Sequence, residues 1–120
     1  MPFRDDHSFD KRAQLSKKIR ENHPNKIPVI VEPAKGIELK TTKYIIGQDY
    51  TVGQFLVEIR KNIKVGKDEA IFLFCDYNDG QILVPISSKM SEIYDKYKGS
   101  DGFLGFTVCK EATFGYCKLL

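Results

Sequence analysis

The sequence predicts one α+β domain with a helix placed ahead of its first strand. Three observations carry this prediction. A strongly periodic amphipathic stretch begins at Val52, apolar and β-branched runs lie on both sides of it, and a basic, capped stretch precedes the first run.

Taken in order, Ser8 is placed to cap a helix over 9–21, with Leu15 and Ile19 four apart on one face and Lys and Arg around the rest. His23-Pro24-Asn25 stops that helix, because the residue before a proline disfavours helical backbone. Ile27-Pro28-Val29-Ile30-Val31-Glu32 reads as a strand, and Pro28 implies that this stretch need not donate to a central ladder. Pro33-Ala34-Lys35-Gly36 is turn material, and Lys43-Tyr44-Ile45-Ile46 is a second strand. Asp49-Tyr50-Thr51 leads into a helix through Ile63, with Thr51 as candidate cap. Val52, Phe55, Leu56, Ile59 and Ile63 line one of its faces. Residues 70–75 form a continuous apolar strand expected to be buried on both faces. Asn78-Asp79-Gly80 is a turn signal from which 81–86 returns as a further strand. Ser87-Ser88 is placed to cap a short helix carrying Met90, Ile93, Tyr94 and Tyr97, and Asp101-Gly102 opens a last strand over 103–109. Two strands, a crossing helix, further strands and a closing strand are the order of a β-grasp domain, here with an additional N-terminal helix. The expected organisation is a helical extension packed on the core at 1–26, the β-grasp core at 27–110 and a flexible tail at 111–120.

Composition narrows the class. With 120 residues, 42% hydrophobic and 29% charged, the chain supports one core and is neither collagen-like, disordered nor a disulfide framework. Its longest apolar runs are too short to span a bilayer, and the acidic, polar start Met1-Pro2-Phe3-Arg4-Asp5-Asp6 does not read as a signal peptide. No Asn-x-Ser/Thr acceptor occurs, so the expectation is an intracellular, cytoplasmic protein. Cys75, Cys109 and Cys117 form no Cys-x-x-Cys pair and, with His7 and His23, supply no zinc set; they read as free thiols. Lys11, Arg12, Lys17, Lys18, Arg20 and Lys26 crowd the first quarter. They read first as a solvated helix face and second as a patch for acidic partners such as tubulin tails or anionic lipid.

No enzyme is visible. Catalysis needs an acid, base or nucleophile in a supporting constellation. There is no Gly-x-Ser-x-Gly and no phosphate-cradling glycine loop, and Gly99, Gly102 and Gly105 lack the strand-loop-helix setting of a nucleotide fingerprint. Cys109 falls on an expected strand with no histidine near it. Neither a catalytic residue, a metal ligand nor a cofactor is expected, and nothing points to nucleic acid.

Several short motifs occur in a telling order. They are Asp10-Lys11-Arg12, Ile27-Pro28-Val29-Ile30-Val31-Glu32, Lys43-Tyr44, Thr51-Val52-Gly53-Gln54-Phe55, Ile59-Arg60-Lys61, Asp101-Gly102-Phe103-Leu104 and Thr113-Phe114-Gly115. Together they resemble the autophagy-related ubiquitin-like modifiers, the family of the microtubule-associated protein light chains and the GABA-A-receptor-associated protein. The resemblance covers nearly the whole chain. It implies that a processing cysteine protease, recognising Phe114, cuts after Gly115 and removes 116–120. The new carboxylate is then activated as an adenylate and passed through thioesters on activating and conjugating enzymes to the amine of phosphatidylethanolamine, which moves the protein from the cytoplasm to the autophagosome membrane. Glycine suits this route because a residue without Cβ threads a narrow channel, and the covalent chemistry belongs to the partners. Two acyl chains, at ~0.8 kcal/mol per buried methylene, hold a polar domain firmly on a bilayer.

The resemblance also implies docking of cargo receptors through aromatic-x-x-aliphatic peptides added as a strand along 43–46. Ile19, Pro28, Ile30, Lys43, Ile45 and Phe103 would line the aromatic pocket, and Tyr44, Ile46, Tyr50, Phe55 and Glu58 the aliphatic one. Strand alternation puts Lys43 and Ile45 on one face and Tyr44 and Ile46 on the other. For the apolar members, ordinary core packing is the competing reading. Four positions depart from the family pattern. Gly47 replaces a proline, Glu58 an apolar pocket residue, Asn62 a basic residue and Leu15 a polar or acidic one. A carboxylate at Glu58 is costly to desolvate unpaired, so an altered aliphatic pocket is expected.

Two rival readings stay open. Cys117-Lys118-Leu119-Leu120 loosely fits a prenylation box ending in leucine, which would anchor the chain through Cys117. Alternatively the chain is a non-conjugated adaptor that binds peptides or the cytoskeleton, tubulin included.

Overall fold

Seven strands and three helices form over the residues that the computed structural model describes, 8–34, 36–66, 69–78 and 80–110. Helix α1 (Phe9–Asn22) starts where Ser8 Oγ accepts from Lys11 N, and it ends where His23 N donates to Ile19 O. Helix α2 (Val52–Arg60) opens on a reciprocal cap: Thr51 Oγ1 accepts from Gln54 N at 3.1 Å, and Gln54 Oε1 accepts from Thr51 N at 2.8 Å. A cap of this kind contributes ~1 kcal/mol. Helix α3 is Met90–Tyr97.

The strands are β1 (Lys26–Pro33), β2 (Glu38–Leu39), β3 (Lys43–Gly47), β4 (Ile63–Lys64), β5 (Phe72–Tyr77), β6 (Gly80–Leu83) and β7 (Leu104–Cys109). Five of them form one sheet in the order β3-β1-β7-β5-β6, while β2 and β4 make a separate two-stranded ribbon. β1 is antiparallel to β3 and parallel to β7, and β7 is antiparallel to β5. First and last strands lying parallel at the sheet centre, with a helix crossing between them, are the β-grasp arrangement. The α+β reading of the sequence is therefore what forms.

Each sheet face has its own apolar cluster because strand alternation splits the side chains. Ile27, Val29, Val31, Leu104, Phe106 and Val108 join Val52, Phe55 and Ile59 of α2 in the main core. On the opposite face Ile30 and Phe103 are covered by Leu15 and Ile19 of α1. The two apolar residues that the helix pattern singled out are thus the ones that dock it.

A polar junction fixes α1 further. Arg12 Nε donates to Asp101 Oδ2 at 2.8 Å, with the Asp101 side chain 5% exposed. The other carboxylate oxygen accepts from Phe103 N at 3.0 Å, Ser16 Oγ donates to Asp101 O, and Tyr94 Oη donates to Gly102 O at 2.7 Å. Gly102 sits at φ +86° with its α-carbon facing the Ser16 hydroxyl, so a Cβ there meets Ser16 Oγ and Cβ as well as strained backbone.

Several local expectations need correction. Pro28 does lie on an interior strand, but its register partner is Ile45 of β3, and pairing with β7 begins only at Val29. Helix α2 ends at Arg60, and Ile63 passes into β4, where it pairs with Leu39. The return strand stops at Leu83, leaving Ile86 67% exposed. Ser87 and Ser88 do not cap α3: its N-cap is Lys89, with no side-chain bond. Instead Met90 N and Ser91 N donate to Tyr50 O and Gln48 O, and Ser88 O receives Val52 N at the start of α2. Of the cysteines, Cys75 is a buried thiol and Cys109 is buried on β7, and Cys117 lies outside the described residues. The flexible-tail reading of 111–120, residues 1–7, and the turn residues Lys35 and Asp79 lie outside the described residues.

Gly102→Ala is expected to destabilise the domain by about 1–3 kcal/mol from backbone strain alone, with more from the Ser16 contact. A urea unfolding series on the two proteins measures it.

Candidate functional site

Strand β3 is at one edge of the sheet, and among the described residues its only partner is β1. An edge strand leaves a row of backbone N–H and C=O groups unpaired along its outer side. Register sorts its side chains. Tyr44 and Ile46 oppose Val29 and Ile27 on the α2 side, whereas Lys43 and Ile45 oppose Ile30 and Pro28 on the α1 side. The expected division of 43–46 between two faces is present, and each face adjoins a different helix.

On the α1 side, Ile30, Phe103 and Pro28 are buried, Ile19 is half-buried, and Lys43 is exposed. Ile45 remains 46% exposed, an apolar side chain left in water beside the open edge. On the α2 side, Phe55 has no exposed surface and Ile46 is 8% exposed, while Tyr50 is 42% exposed. The Tyr44 ring meets Phe55 edge-on at 5.3 Å and 89°. Residues 19, 28, 30, 43, 45 and 103 therefore gather on one face, and 44, 46, 50, 55 and 58 beside the other. Within each set, Ile30, Phe55 and Phe103 are also core members.

Gly47 closes the strand against Tyr50. A Cβ at Gly47 comes 3.2 Å from the Tyr50 ring, so the absent side chain is what lets the ring lie there.

Glu58 does not lie buried and unpaired. Its carboxylate is 41% exposed and sits 3.2 Å from Lys61 Nζ, one turn along the helix. The pair is at the rim, where such interactions contribute little to stability. Asn62 ties this rim to β3: its Nδ2 donates to Glu58 O at 3.1 Å and to Tyr44 Oη at 3.4 Å. Burial raises the Tyr44 phenol above its ordinary value; the Asn62 bond opposes this, and the Glu58 carboxylate adds to it. The Asn62 link was not legible in the sequence, where 18 positions separate the partners. Nor was the Arg12–Asp101 pair, at a separation of 89. Gly115, Phe114 and Cys117 lie outside the described residues.

Among the described residues no group of His, Cys, Asp or Glu is placed to hold a metal ion, and no helix is long and apolar enough to cross a membrane.

Compared with known proteins, residues 11–115 match the family described as "Autophagy protein Atg8 ubiquitin like". The chain belongs to the Atg8 family. Curated relatives agree. "Autophagy-related protein 8" of Schizosaccharomyces pombe is 45% identical over 116 residues, covering 94% of this chain and 93% of its own. Its counterpart in Aspergillus niger is 42% identical over 118 residues, covering 96% and 97%. Among solved structures, "Crystal Structure of Trypanosoma brucei ATG8" aligns with a TM-score of 0.78 at 39% identity, covering 94% of this chain and 97% of that one. As an Atg8-family member, the chain is an autophagy ubiquitin-like protein. The β3 edge and the two helices beside it are accordingly surfaces of a ubiquitin-like Atg8 fold.

The Tyr44 shift has a consequence with a definite sign. The folded state holds the phenolic proton where the unfolded chain has released it, so stability is complete below pH 10.0 and is lost as pH rises through the raised value. The urea midpoint of the protein is expected to fall in that alkaline range, and less steeply for Tyr44→Phe. Parallel slopes for the two proteins would contradict the assignment.

Proposed function

We propose that this Atg8-family protein is a modifier joined through Gly115 to phosphatidylethanolamine, and that its membrane-bound form recruits cargo receptors to the forming autophagosome. One observation carries the reading: the family match ends at residue 115, and that residue is the glycine after Thr113-Phe114. A processing cysteine protease that cuts there exposes a glycine carboxylate. The activating enzyme converts that carboxylate to an adenylate, its thiolate displaces AMP to give a thioester, and transfer through the conjugating enzyme's thiolate brings the acyl group to the lipid amine. The acyl chains provide the membrane affinity, so the folded domain needs no spanning segment. Gly115 supplies the acyl group that the lipid amine accepts, and Phe114 acts as a recognition residue; no residue of the domain acts as a catalyst.

The open edge of β3 supports the second half of the proposal. An extended peptide adds there by main-chain hydrogen bonds, and its alternate side chains fall to opposite faces. An aromatic anchor enters between α1 and the sheet, against Ile19, Pro28, Ile30, Ile45, Phe103 and the Lys43 stem. An aliphatic anchor enters on the α2 side, against Tyr44, Ile46, Tyr50 and Phe55. Glu58 and its Lys61 partner place a charged rim beside that second anchor, which disfavours bulky aliphatic groups that would strip water from the carboxylate.

Expression of the full chain in a eukaryotic cell, followed by mass measurement of soluble and membrane fractions, tests the conjugation. A soluble species ending at Gly115 and a membrane species heavier by one phosphatidylethanolamine are expected. Gly115→Ala should abolish the second species and leave peptide binding unchanged. An intact tail in both fractions leaves only a binding adaptor, and a prenyl group on Cys117 makes that anchor the correct one.

Glu58→Leu tests the rim. Its preference for leucine over valine at the aliphatic anchor should rise about tenfold, ~1.4 kcal/mol, in calorimetric titrations of matched peptides. An unchanged ratio removes the role given to Glu58.

A further inference from the structure

At the opposite edge of the sheet from β3, a cleft of about 710 Å³ opens between α1, the β5–β6 hairpin and the segment joining α3 to β7. Its walls include Phe9 and Arg12 of α1, Asp76 and Tyr77 of β5, Tyr97 of α3, and Asp101. No role in the proposed conjugation or in the β3 edge uses these positions.

In the cleft wall Arg12 and Lys98 formally balance Asp76 and Asp101, but only one of these four residues' possible ion pairs forms. Arg12 and Asp101 neutralise one another at 2.8 Å. Lys98, also in the wall, has its ammonium over the Tyr94 ring at 5.1 Å. Asp76 is different. Its half-buried carboxylate accepts from Thr107 Oγ1 at 3.0 Å and from Gln81 Nε2 at 3.3 Å, both through Oδ1 and both from neutral donors. No ion pair among the described residues includes it. A partly desolvated carboxylate held by neutral groups attracts a cation more strongly than one in open water.

Aromatic surface lines the same cleft. Tyr77 and Tyr97 meet edge to face at 5.1 Å and 74°, with Tyr77 39% exposed, and Phe9 on the far wall is 47% exposed. Partly exposed aromatic rings lining one cleft with an anion suit a planar guanidinium, which can stack on a ring and donate its N–H groups to a carboxylate. The cleft already contains one instance of this packing, since the Arg12 guanidinium lies 5.8 Å from the centre of the Phe9 ring. An anionic ligand would meet Asp76 as a like charge.

We propose that this cleft binds an arginine side chain presented by an extended peptide of a partner protein. Asp76 is its anionic anchor, and Tyr77 and Tyr97 are its stacking walls. The site is independent of the β3 edge, so one molecule can hold an aromatic-x-x-aliphatic peptide and an arginine-bearing segment together.

The test is a titration of the isotopically labelled full chain with the blocked peptide acetyl-Gly-Arg-Ser-Arg-Gly-amide, followed by amide chemical shifts. Saturable shifts at Asp76, Tyr77 and Tyr97 are expected, with none along β3. The same peptide carrying citrulline for arginine keeps the shape without the charge and should not bind. Asp76→Asn retains an oxygen for Thr107 and Gln81 while removing the charge, and should weaken binding about tenfold or more. Tyr97→Leu should weaken it through lost stacking. Equal response to the citrulline peptide, unchanged affinity in Asp76→Asn, or shifts confined to β3 would overturn the proposal. The citrulline comparison uses the unaltered protein, so it decides the matter even if a variant fails to fold.

Discussion

Strand β1 is the constraint from which the rest of the domain follows. It pairs with β3 on one side and β7 on the other, so both ladders take their register from it. Its alternation also divides the protein into two apolar clusters. Val29 and Val31 face the main core, whereas Ile30 faces α1. A one-residue slip would exchange these faces and cost both clusters at once. Because β1 fixes β3 from one side only, the outer edge of β3 has no strand partner among the described residues, and its side chains are already sorted between two helices.

The second face shows how a small extension is made part of a fold. Two apolar side chains, Leu15 and Ile19, would hold α1 weakly by themselves. Burying the Arg12–Asp101 pair with its hydrogen bonds satisfied adds geometric definition, although such pairs are weak evidence of net stabilisation. Removing one partner is a different matter, since the other charge is then left in a nearly closed site. Gly102 lets the chain approach Ser16 at this point, and Tyr94 fixes the carbonyl beside it. The helix, the α3–β7 segment and the start of β7 are thereby locked to one another, and α1 becomes a wall of both the β3 face and the cleft beside β5–β6.

Two surfaces at opposite sheet edges make separate demands on chemistry. The β3 edge offers backbone groups and apolar side chains, with Glu58 softened by Lys61 at its rim. The cleft offers a carboxylate with no ion-pair partner among the described residues, together with partly exposed tyrosine rings. Affinity at the first comes from strand addition and at the second from charge and stacking, so salt should weaken the second far more than the first.

The sequence by itself determined the class, the order along the chain of the three helices and of the strands of the main sheet, and the family, but not the β2–β4 ribbon. Periodicity at 52–59, the Ser8 and Thr51 caps and alternation over 43–46 are local, and local rules suffice for them. Where reading failed, tertiary partners replaced local ones. Ser87 and Ser88 look like caps for α3, but carbonyls of Gln48 and Tyr50 take the helix N–H groups instead. Ile63 continues the helical period, but pairing with Leu39 draws it into β4. Glu58 reads as an isolated charge, yet Lys61 one turn on supplies its partner. Only the folded chain could bring Arg12 to Asp101, Asn62 to Tyr44, or Tyr77 to Tyr97, because each pairing depends on how the elements pack rather than on spacing. Residue type and period set what each segment prefers; the sheet order decides which of those preferences meet.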